Sequence, residues 1–150
     1  MPQPDTTEIL LVEDSPEDLQ LALRALKKAG LANSIQVARD GAEALEFLYC
    51  TGSFATRPLD NLPKLILLDL KLPKVNGLAV LQRLKSDPRT ASIPVVVLTS
   101  SKEQSDVIES YRLGVNSYIV KPVNFEDFVE SVQQLGIYWL RLNQQPPDLT

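Results

Sequence analysis

Five polar residues that can do chemistry each follow an apolar run in this 150-residue chain. They are the acidic pair Glu13 and Asp14, the lone acid Asp69, the hydroxyl residue Thr99 and the base Lys121. Three carboxylates brought together repel one another, so either their pKa values rise or a cation lies among them. Oxygen ligands without His or Cys favour a hard ion, and an incomplete protein cage favours Mg²⁺. These residue types therefore predict a Mg²⁺ site.

Beside a metal and a positive charge, Asp69 has the surroundings of a nucleophile that attacks phosphorus. Lys121 can hold a carboxylate or phosphate as a point charge, and Thr99 can donate a hydrogen bond to a phosphoryl oxygen. The predicted product is an aspartyl phosphate. Taken singly, each residue is more simply a turn former, a helix cap or a solvated charge. Their joint placement after four separate apolar runs favours a site.

Five strand signals alternate with five helix signals, which is typical of an α/β protein with a parallel sheet. Three runs, residues 9–12, 65–68 and 95–98, are continuously apolar and indicate central strands covered on both faces. Two other runs, residues 35–38 and 118–120, are shorter or interrupted by polar residues and suit the edges. We therefore predict a flavodoxin-like (βα)5 three-layer sandwich with strand order 2-1-3-4-5. Ligands bind such sheets beyond the carboxyl ends of the strands, where the five polar residues lie.

The helix signals are caps and apolar stripes. Ser15-Pro16-Glu17-Asp18 predicts an N-cap, a proline in the first turn and acids near the helix start. The fourth helix is predicted over residues 103–113, and Val107, Ile108 and Tyr111 are its predicted buried stripe. The last helix is predicted to be extended, running past residue 134 to about residue 142.

Composition excludes several functions. The net charge of −4 gives no basic surface for nucleic acid, and no histidine is available for Ser-His or Cys-His catalysis or for a zinc site. The single cysteine excludes an internal disulfide, and no stretch approaches the roughly 20 apolar residues of a membrane span. We predict a cytoplasmic protein with no membrane and no nucleic-acid partner.

One domain is expected over residues 8–143. Residues 1–7 are predicted to be a flexible N-terminus and residues 144–150 a C-terminal tail, so no output domain is expected.

Three alternative functions remain to be weighed. A haloacid-dehalogenase-like phosphatase needs a second acid two residues after its nucleophile, where this chain has Lys71. A mononucleotide binder needs a first loop that presents backbone amides and hydroxyls to phosphate. Residues 13–18 of this chain are acidic and would repel a phosphate. An interaction scaffold that has the same fold but is never phosphorylated is the strongest alternative.

The chain resembles the response-regulator receiver domain from about residue 8 to residue 136. The resemblance is carried by four motifs: residues 12–14, residues 67–73 with Asn76-Gly77, residues 97–100, and residues 118–122. The length of the 52–63 segment and the Tyr-Trp-Leu end of the last helix further resemble the stand-alone receivers that partner cyanobacterial and bacterial phytochromes.

The resemblance implies a role for each site residue. Asp69 would accept a phosphoryl group from a histidine kinase, of the phytochrome type by the subgroup likeness. Asp14, Asp69 and the backbone carbonyl of Lys71 would hold Mg²⁺, with Glu13 acting through water. Thr99 and Tyr118 would be the switch residues, and the Lys121–Pro122 bond would be cis.

The output is predicted to be a change in binding on the surface of helix 4, strand 5 and helix 5. The apolar end of the last helix, including Tyr138, Trp139 and Leu142, is either a clamp over the protein's own core or a self-association surface. We predict a homodimer through these residues.

Overall fold

Strand order in this protein follows from which apolar runs are buried on both faces. A computed structural model describes residues 7–31, 34–121 and 124–144. Its strands are all parallel and form one sheet in the order β2-β1-β3-β4-β5, which confirms the predicted fold class. They span Ile9–Val12 (β1), Ile35–Ala38 (β2), Leu65–Leu68 (β3), Val95–Thr99 (β4) and Ser117–Val120 (β5). Every residue of the three central strands is buried, as the continuous apolar runs predicted.

The helices lie on both faces of the sheet and make it the middle of three layers. Their bounds are Pro16–Lys28 (α1), Gly41–Tyr49 (α2), Gly77–Ser86 (α3), Gln104–Arg112 (α4) and Phe125–Ile137 (α5). Side chains of α1 and α5 share one apolar cluster with the sheet, and those of α2 and α3 share the other.

The cap predicted at Ser15 is present, and two further helix starts are capped in the same way. The side chain of Ser15 accepts from the backbone of Asp18, Asp40 accepts from Glu43, and Asn76 accepts from Ala79. These bonds satisfy backbone donors that a helix start leaves without partners. Each of these three helices therefore begins directly after its capping residue.

The buried stripe predicted for α4 is wrong. Ile108 is 54% and Tyr111 is 52% exposed, Val107 is half-buried, and Ser110 is the fully buried residue. The inward face of α4 therefore contains residues 107 and 110, whereas the sequence predicted residues 107, 108 and 111. The buried face is turned by about one residue position around the helix. The small Ser110 faces inward, and the larger side chains of Ile108 and Tyr111 face outward.

The last helix runs past residue 134, as predicted, and then widens. A π-helix over Tyr138–Leu142 continues α5 without a break. Trp139 packs against the α1–α5 cluster, whereas Leu142 remains 70% exposed. The extension therefore covers part of the protein's own core and still leaves apolar surface.

Arg57 anchors the long connection between α2 and β3, which includes a 3₁₀ turn over Gly52–Phe54. Its guanidinium lies 3.6 Å from the centre of the Phe47 ring and donates hydrogen bonds to the carbonyls of Phe47 and Asn61. A surface segment is thereby fixed to the core through one side chain.

Several sequence predictions fall outside the described residues. The cis state of the Lys121–Pro122 bond, most of the N-terminal segment 1–7 and most of the tail 144–150 are among them. No helix in the described part of the chain is long and apolar enough to cross a membrane.

Candidate functional site

Strand register brings the acidic residues together. Val12 at the end of β1 pairs with Leu68 at the end of β3, so Glu13, Asp14 and Asp69 leave neighbouring strands at the same level. Carboxylate oxygens of these three residues lie within 4.8 Å of one another. Glu13 and Asp69 are 4% and 7% exposed, and Asp14 faces solvent. The cluster is therefore open on one side and closed on the others.

Lys121 enters the cluster from β5, two strands away from β3. The residue before it, Val120, pairs with Thr99 at the end of β4, and the backbone N–H of Lys121 donates to the Thr99 carbonyl over 2.7 Å. Its ammonium lies 2.6 Å from Glu13 Oε1 and 3.3 Å from Asp69 Oδ2. Only 8% of the Lys121 side chain is exposed, so its charge acts on the cluster with little screening by water.

The electrostatics of the pocket show one shared cation among several acids. The pKa of Glu13 is raised to about 7, because burial and the charge of Asp69 raise it more than the hydrogen bond from Lys121 lowers it. Burial alone would lower the pKa of Lys121, but its hydrogen bonds to Asp18 and Glu13 outweigh burial and raise that pKa. One ammonium therefore leaves the negative charge of the cluster incompletely balanced.

Asp69 is held rigidly by the segment that follows it. The backbone N–H of Lys71 donates to Asp69 Oδ1 over 3.3 Å, and the backbone N–H of Gly77 donates to the carbonyl of Leu70 over 2.8 Å. A Cβ at position 77 would stand 2.3 Å from the Asp69 carbonyl oxygen, so only glycine permits α3 to begin this close to β3. The Asn76-Gly77 pair thus serves both as a helix start and as a support for Asp69.

The acid cluster is chemically suited to a divalent cation. Its donors are three carboxylates, the hard oxygen ligands that Mg²⁺ and Mn²⁺ prefer, and one of them is open to water. Burial and the charge of Asp69 both raise the pKa of Glu13, and a cation in the cluster would favour the charged form of this carboxylate.

The two predicted switch residues are connected through a third residue. Thr99 is fully buried, and its Oγ1 accepts the backbone N–H of Ser101 over 3.4 Å. Tyr118 donates its hydroxyl to the carbonyl of Ser101 over 3.0 Å, and Ser101 Oγ donates to Asp106 in the first turn of α4. Ser101 therefore contacts the strand end, the tyrosine and α4 at once.

The structure brings most of the predicted residues together. Glu13, Asp14, Asp69 and Lys121 form one cluster, and the backbone N–H of Lys71 contacts it while the Lys71 side chain is exposed. Tyr138, Trp139 and Leu142 lie apart from it, beyond the end of α5.

Sequence reasoning missed two residues of the site. Asp18, read as a helix-start acid, has an oxygen 2.7 Å from the Lys121 ammonium. Ser101 follows the predicted hydroxyl by two residues and gave no signal beyond a polar residue in a connection. The available signal for Asp18 was its position in the first turn of α1, directly after the acid pair. A side chain in that turn lies close to the end of β1.

Comparison with known proteins agrees with this geometry. Residues 9–133 match the family model described as the response regulator receiver domain. The response regulator Rcp1 of Synechocystis sp. is 44% identical over 132 residues, which cover 88% of either chain. A Mn²⁺-bound crystal structure of Rcp1 superimposes with a TM-score of 0.86 and 42% identity, covering 94% of this chain and 99% of that one.

Two further solved structures that resemble this chain are named as phytochrome and bacteriophytochrome response regulators. The phosphorylated cyanobacterial phytochrome response regulator RcpA is 39% identical with a TM-score of 0.86, covering 94% of this chain and 99% of its own. The bacteriophytochrome response regulator RtBRR is 55% identical with a TM-score of 0.75, covering 94% and 84%. The match over most of the chain, together with the acid cluster and its lysine, shows that this protein is a response regulator and belongs to the receiver domain family.

Proposed function

We propose that this protein accepts a phosphoryl group on Asp69, with Mg²⁺ bound by the adjacent acids, and that the donor is a histidine kinase. The observation that carries the proposal is the placement of the Asp69 carboxylate. One of its oxygens faces the Lys121 ammonium at 3.3 Å, and the carboxylate also belongs to the acidic cluster with Glu13 and Asp14. The Asp69 carboxylate thus lies beside the Lys121 ammonium and beside the acids that would hold Mg²⁺. These two positive charges can balance the negative charge of a phosphoryl group.

The residues divide the chemistry among them. An Asp69 oxygen attacks phosphorus, the new O–P bond forms, and the P–N bond to the donor imidazole breaks with its electron pair leaving on nitrogen. Lys121 would neutralise charge on the phosphoryl oxygens, and Thr99 would donate a hydrogen bond to one of them. Mg²⁺, held by Glu13, Asp14, Asp69 and the carbonyl of Lys71, would supply the remaining positive charge. The protein catalyses at most its own phosphorylation and dephosphorylation.

The kind of kinase is suggested by the relatives. RcpA and RtBRR are named as phytochrome and bacteriophytochrome response regulators, and this chain matches each over 94% of its length. A phytochrome-type histidine kinase is therefore the donor we propose.

The signal would leave through the surface formed by α4, β5 and α5. Ser101 forms hydrogen bonds with Thr99, with Tyr118 and with Asp106 in the first turn of α4. A movement of Thr99 towards a phosphoryl group would therefore alter the positions of Ser101, Tyr118 and the start of α4. We propose that the receiver unit extends over residues 8–143 and that its output is a change in partner binding.

Intact mass spectrometry after incubation with acetyl phosphate and Mg²⁺ tests this proposal. We expect a gain of one phosphoryl group in the wild type, no gain in Asp69→Asn, and no gain in the presence of EDTA. Asp60→Asn is the matched control, because Asp60 is an exposed acid in the α2–β3 connection. An unmodified wild type, or equal uptake by Asp69→Asn, would favour an interaction scaffold that is never phosphorylated.

We also propose that two copies associate through the end of the last helix. Ile137, Tyr138 and Leu142 are 42%, 48% and 70% exposed and form an apolar surface next to Trp139. Sedimentation of wild type and Leu142→Asp tests this without disturbing Trp139, which packs on the core. We expect the wild type to dimerise at high concentration and Leu142→Asp to be monomeric, with the exposed Leu59→Asp as control. A monomeric wild type contradicts this proposal.

A further inference from the structure

Lys121 has three carboxylate partners, and they are not equivalent. Its ammonium lies 2.6 Å from Glu13, 2.7 Å from Asp18 and 3.3 Å from Asp69. An ammonium has three N–H donors, so all three contacts can exist at once. The two short contacts have the length of strong charge-assisted hydrogen bonds, and the contact to Asp69 is the weakest of the three.

Asp18 reaches Lys121 from the first turn of α1. Its backbone N–H donates to Ser15 Oγ over 3.3 Å, which is the ordinary capping bond of a helix start. That bond uses only the backbone, so the carboxylate is free to point at the pocket, where 34% of the side chain is exposed. A favourable interaction with the helix dipole would explain an acid here, but it would not require the 2.7 Å contact with a lysine 103 residues away.

Only one of the three partners lies outside the cation-binding group. Glu13 and Asp69 share the acidic cluster with Asp14, whereas Asp18 is not a member of that cluster among the described residues. A cation in the cluster would engage Glu13 and Asp69, and Asp18 would then be the acceptor that still holds Lys121.

We infer that Asp18 is a positioning residue, which holds the Lys121 ammonium against the wall of the pocket formed by α1 and keeps its 3.3 Å contact with Asp69 from shortening into a strong ion pair. Without this anchor, the ammonium would move towards Asp69 and the cation site and would repel a bound cation. The inference deepens the proposed function and rests on it where Mg²⁺ is concerned.

The first test examines Lys121 in the metal-free protein. In EDTA, the side-chain ammonium signal of Lys121 is measured by ¹H–¹⁵N NMR, and it is assigned by its absence from Lys121→Met. We expect this signal to be protected from exchange in the wild type and shifted or lost in Asp18→Asn. Asp18→Glu should restore it in part. Glu17→Gln removes the same charge from the same helical turn at an exposed position, and it should leave the signal unchanged.

The second test measures Mg²⁺ affinity by following the backbone amides of residues 14 and 70. We expect Asp18→Asn to bind Mg²⁺ about three- to tenfold more weakly than Glu17→Gln, as expected for the displacement of one partly buried ion pair. In a Lys121→Met background, Asp18→Asn should lower the affinity no more than Glu17→Gln does, because no ammonium is left to be released.

The outcomes separate this inference from the proposed function. Equal ammonium signals and equal Mg²⁺ affinities in Asp18→Asn and Glu17→Gln would overturn the role of Asp18, as would an effect that persists fully in Lys121→Met. A wild type that binds no Mg²⁺ would remove the proposed function. Even then, loss of the ammonium signal in Asp18→Asn would support Asp18 as the anchor of Lys121.

Discussion

Two lysines are withdrawn from water at opposite ends of the sheet, and their surroundings act on them in opposite directions. Lys121 lies beyond the carboxyl ends of the strands, where its bonds to carboxylates raise its pKa against the effect of burial. Lys85, in the last turn of α3, donates to the carbonyls of Ala91 and Ile93 over 2.9 and 3.0 Å, just before the amino end of β4. Burial lowers the pKa of Lys85, and no carboxylate within the described contacts opposes it.

The partners of the two lysines therefore differ in charge. Lys85 donates to two neutral backbone carbonyls and joins the end of α3 to the segment before β4. Lys121 lies among three carboxylates and carries less charge than they do, so its region has the electrostatics that the proposed cation site requires. Burial alone therefore does not identify a site; the charge of the partners does.

The largest effect on stability is expected for Lys121→Met in the absence of metal. Removing the shared counter-charge leaves Glu13, Asp18 and Asp69 facing one another, and the free energy of unfolding should fall by about 3 kcal/mol. Urea denaturation in EDTA measures this loss. Excess Mg²⁺ should recover most of it, because a cation that binds only the folded state stabilises that state. Unchanged stability in EDTA would contradict the assignment of Lys121 as the counter-charge.

A smaller loss is expected for Lys85→Met, by about 2 kcal/mol, because two backbone carbonyls lose their donor. Mg²⁺ should raise the stability of this variant only as much as it raises that of the wild type, and phosphoryl uptake by the folded protein should be normal. Lys102→Met, at an exposed position, is the control and should change stability by less than about 0.5 kcal/mol. A specific recovery of Lys85→Met by Mg²⁺ would break the distinction between the two lysines.

The smallest effect concerns Tyr118. Burial raises the pKa of this acidic side chain, whereas it lowers the pKa of the basic side chain of Lys85. Burial raises the pKa of Tyr118, the hydrogen bond to Ser101 lowers it, and the charge of Asp106 raises it. Above pH 10.0, the ordinary tyrosine value, an unfolded chain loses this proton before the folded one does. Stability should therefore fall as the pH rises through that range. Absorbance titration at 295 nm should show one late-ionising tyrosine that is absent from Tyr118→Phe; identical titrations would contradict this.

Much of the fold was predictable because the deciding signals are local. Continuous apolar runs mark strands with two covered faces, and Ser15, Asp40 and Asn76 cap helices through their own backbone neighbours. The phase of α4 was not predictable in this way. The buried residue of α4 is the polar Ser110, while Ile108 and Tyr111 are exposed, so the spacing of apolar residues does not indicate which face of this helix is turned inward.

The order of the strands and the polar residues at their carboxyl ends can be derived from the amino-acid sequence, because parallel strands end at one edge and each strand end can be read from its apolar run. How those polar residues share charge depends on the packing of the folded chain. The pairing of Lys121 with Asp18 spans 103 residues and joins the end of β5 to α1, and that of Tyr118 with Ser101 joins β5 to the connection before α4. Such contacts depend on the reach of side chains between elements that are packed together, and no local rule of spacing or capping specifies them.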